Sequence, residues 1–152
     1  MDPDTMFGPL DQVLAQEVVG GVLAIEYLLL VLVVVNMATR FLAYRNDVKQ
    51  AEDEDTESLS RYLPHEATNV VLILATFYYT TVEQHGGIVL SMLIIGMFLA
   101  DFFEFEVREV DVRKDAKPRA PKGALGASVF VLAYAGFQSL FFLVKDVWTA
   151  IV

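Results

Sequence analysis

The sequence predicts an all-α protein, a multi-pass transmembrane four-helix bundle with a short hairpin between its second and third helices. Hydrophobic residues make up 55% of the 152 residues, and they come in four long blocks. A helix rises about 1.5 Å per residue, so a block of about 20 apolar residues spans the roughly 30 Å hydrocarbon core of a bilayer. Little chain is left over for a water-soluble core. We therefore predict one membrane domain over residues 1–152.

The first helix is predicted within residues 18–44. Its least ambiguous part is the unbroken apolar run Tyr27–Val35. Arg40 and Arg45 lie near its far end, where long basic side chains can snorkel to the lipid headgroups. We therefore expect both guanidinium groups at the membrane surface.

The second and third helices are predicted over residues 64–82 and 87–103. Pro64 suits the first turn of a helix, because its missing N–H would have no partner there. Only the short, glycine-containing segment 83–87 connects the two helices. A connection of this length predicts a tight antiparallel hairpin.

The fourth helix is predicted over residues 124–144. Two polar loops, at about 45–63 and 104–123, complete the chain. In the second loop the residues after Phe103 alternate between apolar and acidic at first and then lose that register near Arg108. This pattern fits a helix extension to about Arg108 at least as well as a strand.

The Lys and Arg residues predict the orientation of the chain. Ten of the 11 lie in or beside the loops 45–63 and 104–123, which must share one side of the membrane. Short loops rich in Lys and Arg remain in the cytoplasm. We therefore predict cytoplasmic loops in the cell (plasma) membrane and both termini outside.

The net charge of −9 is unusual for a membrane protein, and acids crowd even the basic loops, as in residues 51–57. One interpretation is an acidic loop that binds a partner. The other is adaptation to strong salt, where carboxylates keep surfaces hydrated; the spread of acids over every polar segment favours it. Asp2, Asp4, Asp11 and Glu17 stand near the start without any base, so no cleavable signal peptide is expected. The absence of cysteine excludes disulfides and thiolate metal sites.

Six segments of the chain have a familiar sequence: Val35–Arg40, Tyr62–Asn69, Phe77–Tyr79, His85–Gly87, Ala100–Glu106 and Gln138–Val144. They resemble an uncharacterised family of small haloarchaeal four-helix membrane proteins, a domain of unknown function. The resemblance covers nearly the whole chain apart from its N-terminal segment. It implies a halophilic archaeon and a cell membrane, and it supplies no activity and no catalytic residue.

Five polar residues fall within the predicted spans: Glu26, Asn36, Asn69, Tyr79 and Gln138. An ionised group at the centre of a membrane helix costs about 2.5–3.5 kcal/mol on insertion scales. Glu26 lies about 12 Å into the membrane if its helix begins at residue 18, and at the interface if the span begins at Tyr27. Glu26 is therefore either a proton or cation site or a hydrogen-bonded packing group. Asn36 and Asn69 are expected to form hydrogen bonds between helices.

A second set of candidates lies at the cytoplasmic end: His65, Glu66, Asp101 and Glu104. If these side chains converge, one imidazole and three carboxylates could bind a divalent cation. The alternative is ion pairing with nearby arginines at the headgroup level, which the sequence favours. A single histidine with scattered acids is not a metal motif, so no metal, cofactor or catalytic residue is assigned.

The expected partners are the lipid bilayer and either another protein or a second copy of the chain, through small-residue helix faces such as Gly96 with Ala100. Nucleic acid is not expected. We favour a non-catalytic small membrane subunit or scaffold that binds a partner through its two charged cytoplasmic loops. The alternatives are a proton- or cation-coupled transporter acting as an oligomer and a metal-dependent membrane enzyme.

Overall fold

The computed structural model describes residues 6–53 and 55–152. Asp2 and Asp4 of the acidic N-terminal segment and Glu54 of the acidic run therefore lie outside the described residues. The described chain is mostly helical. Its elements are α1 (Pro9–Leu14), β1 (Glu17–Val19), β2 (Val22–Leu23), α2 (Ala24–Ala51), α3 (Leu63–Val82), α4 (Gln84–Arg113) and α5 (Lys122–Ile151).

The four long helices surround one apolar core. Helix α2 packs against α3 and α5, and α4 packs against the same two helices. Inward positions recur every three or four residues along each helix, as expected for a helix with one buried face. The core consists of Ile25, Leu29, Val33, Leu72, Tyr79, Leu90, Ile94, Met97, Val131 and Ala135.

Three helices of the described chain, α2, α4 and α5, are long and apolar enough to cross a membrane. Helix α3 is not among them. Large apolar side chains are exposed around the outside of the helices, including Val31, Leu74, Met92 and Phe130. Such apolar helices indicate contact with a lipid bilayer.

The start of the first long helix differs from the prediction. Residues 17–23 form an antiparallel hairpin, and α2 begins at Ala24 rather than at residue 18. Gly20 and Gly21 turn the chain with φ of 67° and 74°, in the left-handed region that glycine adopts without strain. A side chain at Gly20 would also collide with the ring of Phe142 in α5.

The other long helices extend beyond the predicted spans. Helix α4 runs from Gln84 to Arg113, so the helix extension expected to about Arg108 continues for another turn. Helix α5 runs from Lys122 to Ile151 instead of 124–144. Helix α3 begins at Leu63, one residue before the predicted start.

The two ends of the bundle differ in how they connect the helices. At one end, which we term the hairpin end, Glu83 alone joins α3 to α4 and the β-hairpin leads into α2. Gly87 allows the tight α3–α4 approach, because a Cβ there would meet the backbone of Thr80. At the opposite end, the loop end, residues 52–62 and 114–121 connect the helices.

Candidate functional site

A charged and polar cluster lies inside the bundle, toward the loop end. Arg40 of α2 donates from Nε to Oδ1 of Asp101 in α4 at 3.1 Å. It also donates from Nη2 to Oδ1 of Asn36 at 2.9 Å and from Nη1 to the hydroxyl of Ser128 in α5. All four residues are buried. Arg40 therefore bonds to side chains of three different helices.

His65 and Asn69 of α3 complete the cluster. The imidazole Nε2 of His65 lies 2.6 Å from Oδ2 of Asp101, which also accepts from Asn69 Nδ2 at 3.3 Å. Asn69 in turn accepts from Asn36 at 2.7 Å. On the other side of the imidazole, Nδ1 lies 3.0 Å from the hydroxyl of Thr39, which lies 3.0 Å from the hydroxyl of Thr68. We term this cluster the central network: Asn36, Thr39, Arg40, His65, Thr68, Asn69, Asp101 and Ser128.

The prediction that the Arg40 side chain extends to the lipid headgroups is wrong, because this side chain lies in the central network. It is 1% exposed and points into the bundle. The reason is its helical face: Arg40 follows Asn36 by four residues, and residues four apart lie on one side of a helix. Phe41 and Phe103, at the same level, are exposed. The ion pair therefore lies where the outer surface of the bundle is still apolar.

The four candidates at the loop end do not converge. His65 and Asp101 meet, whereas Glu66 accepts from Arg61 at 3.2 Å. Glu104 accepts from the backbone N–H groups of Gly123 at 2.6 Å and Ala124 at 3.0 Å, at the start of α5. A carboxylate there satisfies N–H groups that have no partner within the helix. Across residues 6–53 and 55–152, no three His, Asp or Glu side chains are placed to hold a metal ion.

A second, smaller cluster lies at the hairpin end. The carboxylate of Glu26 accepts from Leu23 N–H at 2.8 Å and from the Tyr79 hydroxyl at 2.7 Å. Gln138 of α5 donates to the Tyr79 oxygen at 3.3 Å. Hydrogen bonds thus connect Glu26, Tyr79 and Gln138, three of the five polar residues predicted within the spans. Glu26 is half-buried in the first turn of α2, because that helix begins only at Ala24.

An apolar layer separates the two clusters. Glu26 and Arg40 are about 21 Å apart along α2, at about 1.5 Å per residue. Among the described residues, the buried hydroxyl between them is that of Thr76, which donates to the Leu72 carbonyl of its own helix at 2.6 Å; its neighbours in the core are apolar. The layer consists of Leu29, Val33, Leu72, Ile94, Met97 and Val131.

A further buried ion pair, which sequence analysis did not identify, joins Arg108 and Asp47. The guanidinium Nε donates to Oδ2 at 2.8 Å, and the two side chains are 5% and 1% exposed. The overlooked signal is the spacing of inward residues at alternating steps of three and four, as in the seam of a coiled coil. In α2 that seam continues from apolar into polar residues: Leu29, Val33, Asn36, Arg40, Ala43 and Asp47.

A comparison with protein families assigns the chain. The model of the domain of unknown function DUF7313 matches residues 2–152. The chain belongs to the DUF7313 family. No curated protein and no solved structure matches it. The expectation of a family without an assigned activity is thereby confirmed, while its haloarchaeal origin and four-helix membrane nature stay predictions.

The DUF7313 chain has an open cleft of about 660 Å³ at the loop end. One wall of the cleft belongs to the connection between α4 and α5, residues 114–121. This connection is held to the helices, because the Tyr44 hydroxyl donates to the Pro118 carbonyl at 3.4 Å and Arg119 pairs with Asp111 at 2.8 Å. The Asp111 carboxylate raises the pKa of the Arg119 guanidinium above its usual value. The cleft is lined by Val48, Ala51, Glu52, Asp53, Thr56, Val112, Asp115, Ala116, Lys117 and Pro118.

Proposed function

We propose that the chain is an integral membrane protein with four transmembrane helices, acting as a non-catalytic small subunit or scaffold that binds a partner protein at its loop end. Helix α3, with 20 residues, is about 30 Å long, which is enough to cross a bilayer. Its polar residues His65, Asn69 and Thr76 are buried against the other helices. These inward residues lower its mean hydropathy, although the face away from the bundle is apolar. This arrangement supports α3 as the fourth span.

The distribution of basic residues supports a cytoplasmic loop end. Arg40 and Arg108 are buried in ion pairs and do not reach lipid headgroups. The bases that remain at this end are not buried, namely Arg45, Lys49, Arg61, Arg113, Lys114, Lys117, Arg119 and Lys122. Lys145 is the exception among the bases, at the opposite end. Such an asymmetry favours the basic side in the cytoplasm.

The loop-end cleft is the observation that carries the proposal of a partner. Both polar loops contribute to it, so they form one surface rather than two separate tails. Its floor is apolar, with Val48 and Val112, and its rim carries Glu52, Asp53 and Asp115 against the single base Lys117. Complementary charge steers and orients a partner. The cleft therefore suits a partner segment with apolar and basic side chains.

A cross-linking experiment tests the proposal. Because the chain has no cysteine, Thr56→Cys places a unique thiol in the cleft, and Asp146→Cys places a matched thiol in the exposed end of α5. We expect a heterobifunctional cross-linker in native membranes to join Thr56→Cys, but not Asp146→Cys, to one protein. Glu52→Lys with Asp115→Lys should abolish that product. No discrete product, or one that survives both charge reversals, would contradict the proposal.

The two alternatives receive less support. For a proton- or cation-coupled transporter, the path between Glu26 and Asp101 is closed by the apolar layer. A metal-dependent membrane enzyme would need several ligands at the loop end. Glu66 and Glu104 bind other groups there, so only His65 and Asp101 of the four candidates lie together.

A further inference from the structure

We propose that the central network is a proton-binding site, in which His65 takes up a proton from the loop end and Asp101 stabilises the resulting imidazolium. This inference does not depend on the proposed partner. It rests on the position of one buried imidazole between a carboxylate and a hydroxyl. The ligand that the site would take is the proton itself.

The carboxylate of Asp101 is placed to hold the imidazole in either charge state. Its Oδ2 lies 2.6 Å from His65 Nε2, and its Oδ1 accepts from Arg40. A carboxylate bonded to one imidazole nitrogen fixes the orientation of the ring and stabilises its cation. Arg40 and Asn69 hold that carboxylate in turn, so it stays in position when the charge of the ring changes.

The hydroxyl of Thr39 can serve both protonation states. It lies 3.0 Å from His65 Nδ1 and 3.0 Å from the carbonyl oxygen of Asn36. With a neutral ring protonated on Nε2, the hydroxyl donates to Nδ1. After a proton binds to Nδ1, that N–H donates to the Thr39 oxygen, whose own hydrogen turns to the Asn36 carbonyl. Neither state leaves a buried polar group unpaired, which would otherwise cost about 1–3 kcal/mol.

The charges around His65 leave room for one added proton. Asp101 of α4 contacts the ring and is paired in turn with Arg40 of α2, while α5 contributes the neutral Ser128 to the central network and α3 the neutral Asn69. The network is therefore neutral with a neutral ring and carries one positive charge after proton uptake. Arg61 and Glu66, closer to the loops, pair with each other.

The access route follows from where His65 stands. It is the third residue of α3, directly behind the connection 52–62. Toward the hairpin end, the buried side chains of Leu72, Ile94 and Met97 close the interior. A proton that reaches the imidazole therefore comes from the loop end.

The histidine content makes this proposal testable by spectroscopy. The chain has two histidines, the buried His65 and the exposed His85. The full chain, labelled with ¹⁵N-histidine and carrying His85→Gln, would be reconstituted into liposomes and titrated by solid-state NMR from about pH 4 to about pH 9, around the usual histidine pKa. We expect His65 to change reversibly between the Nε2–H neutral form and the imidazolium, with unchanged helical circular dichroism. A single protonation state throughout that range, or titration that accompanies unfolding, would overturn the proposal.

Matched variants test the role of the hydroxyl. Thr39→Ser keeps the hydroxyl and should leave the titration midpoint unchanged. Thr39→Val removes it, and the imidazolium then lacks an acceptor, so proton affinity should fall by about tenfold or more. Equal midpoints in both variants would contradict the hydroxyl mechanism, and the titration of the His85→Gln chain still tests proton binding at His65 if Thr39→Val fails to fold. In liposomes with one protein orientation, a pH step on the loop-end side should change the His65 signal, and a response only to the other side would contradict loop-end access.

Discussion

Arg40 and Asp101 form an ion pair in the interior of the helix bundle, with 3.1 Å between guanidinium Nε and carboxylate Oδ1. The two residues lie 61 positions apart in the chain, on α2 and α4. An ion pair away from water helps only while both partners are present, because removal of one leaves a buried charge uncompensated. The pair therefore stabilises one specific arrangement of these two helices.

The first prediction concerns this pair. Arg40→Met or Asp101→Leu alone should lower the free energy of unfolding by about 3–5 kcal/mol, because the remaining charge is buried without its partner. The double variant should lose clearly less than the sum of the two single losses. Unfolding of purified protein in mixed detergent micelles measures all three values. Single losses under about 1 kcal/mol, or losses that add in the double variant, would contradict a coupled buried pair.

The second prediction concerns the approach of α3 and α4. Gly87→Ala should lower the free energy of unfolding by about 1–3 kcal/mol, since the new methyl group meets the backbone of Thr80. Gly96→Ala is the matched control on the same helix, where a Cβ would meet nothing within 4 Å. It should be neutral or stabilising by up to about 1 kcal/mol, because alanine favours a helix. Equal effects of the two variants would argue against close α3–α4 contact.

The third prediction concerns the start of α5. Glu104→Ala should destabilise the protein by about 1 kcal/mol, because two backbone N–H groups lose their shared carboxylate. Amide hydrogen exchange at Gly123 and Ala124 should accelerate more than exchange in the middle of α5. Glu106→Ala removes an exposed carboxylate paired with Arg61 and should cost less, under about 1 kcal/mol. Unchanged exchange at the start of α5 would show that Glu104 does not cap this helix.

The fourth prediction concerns whether α3 crosses the membrane. Thr56→Cys and His85→Cys lie on either side of α3 and would each carry the sole thiol of the chain. In intact cells, a membrane-impermeant maleimide should label His85→Cys and should label Thr56→Cys only after permeabilisation. Asp146→Cys should behave like His85→Cys, because α5 returns the chain to the same side. Labelling of Thr56→Cys and His85→Cys on one side would show that α3 does not span.

The sequence indicates the polar residues of the central network but not that they meet. It predicts Asn36 and Asn69 within the membrane and His65 and Asp101 at its cytoplasmic end, whereas the structure joins all four in one network. Residue spacing along one helix shows which side chains share a face. It does not show which residues of another helix stand at the same height, and this relation determines hydrogen bonding.

The start of α2 illustrates a different limit. Residues 18–23 are apolar enough to continue a transmembrane helix, and hydropathy alone favours that assignment. The two glycines at 20 and 21 instead turn the chain, and the ring of Phe142 packs against the turn. Hydropathy measures transfer from water and is insensitive to the backbone angles of a turn.

The amino-acid sequence by itself determined that long apolar helices form, that polar segments interrupt them, and that the basic residues gather at one end. These properties depend on local composition and on the helical repeat, both of which are visible in a linear chain. Only the tertiary structure decided that Arg40 is buried, that His65 and Asp101 meet, and that Glu104 supports a different helix. Those relations depend on the rotation and height of each helix against its neighbours, which arise from packing between distant parts of the chain.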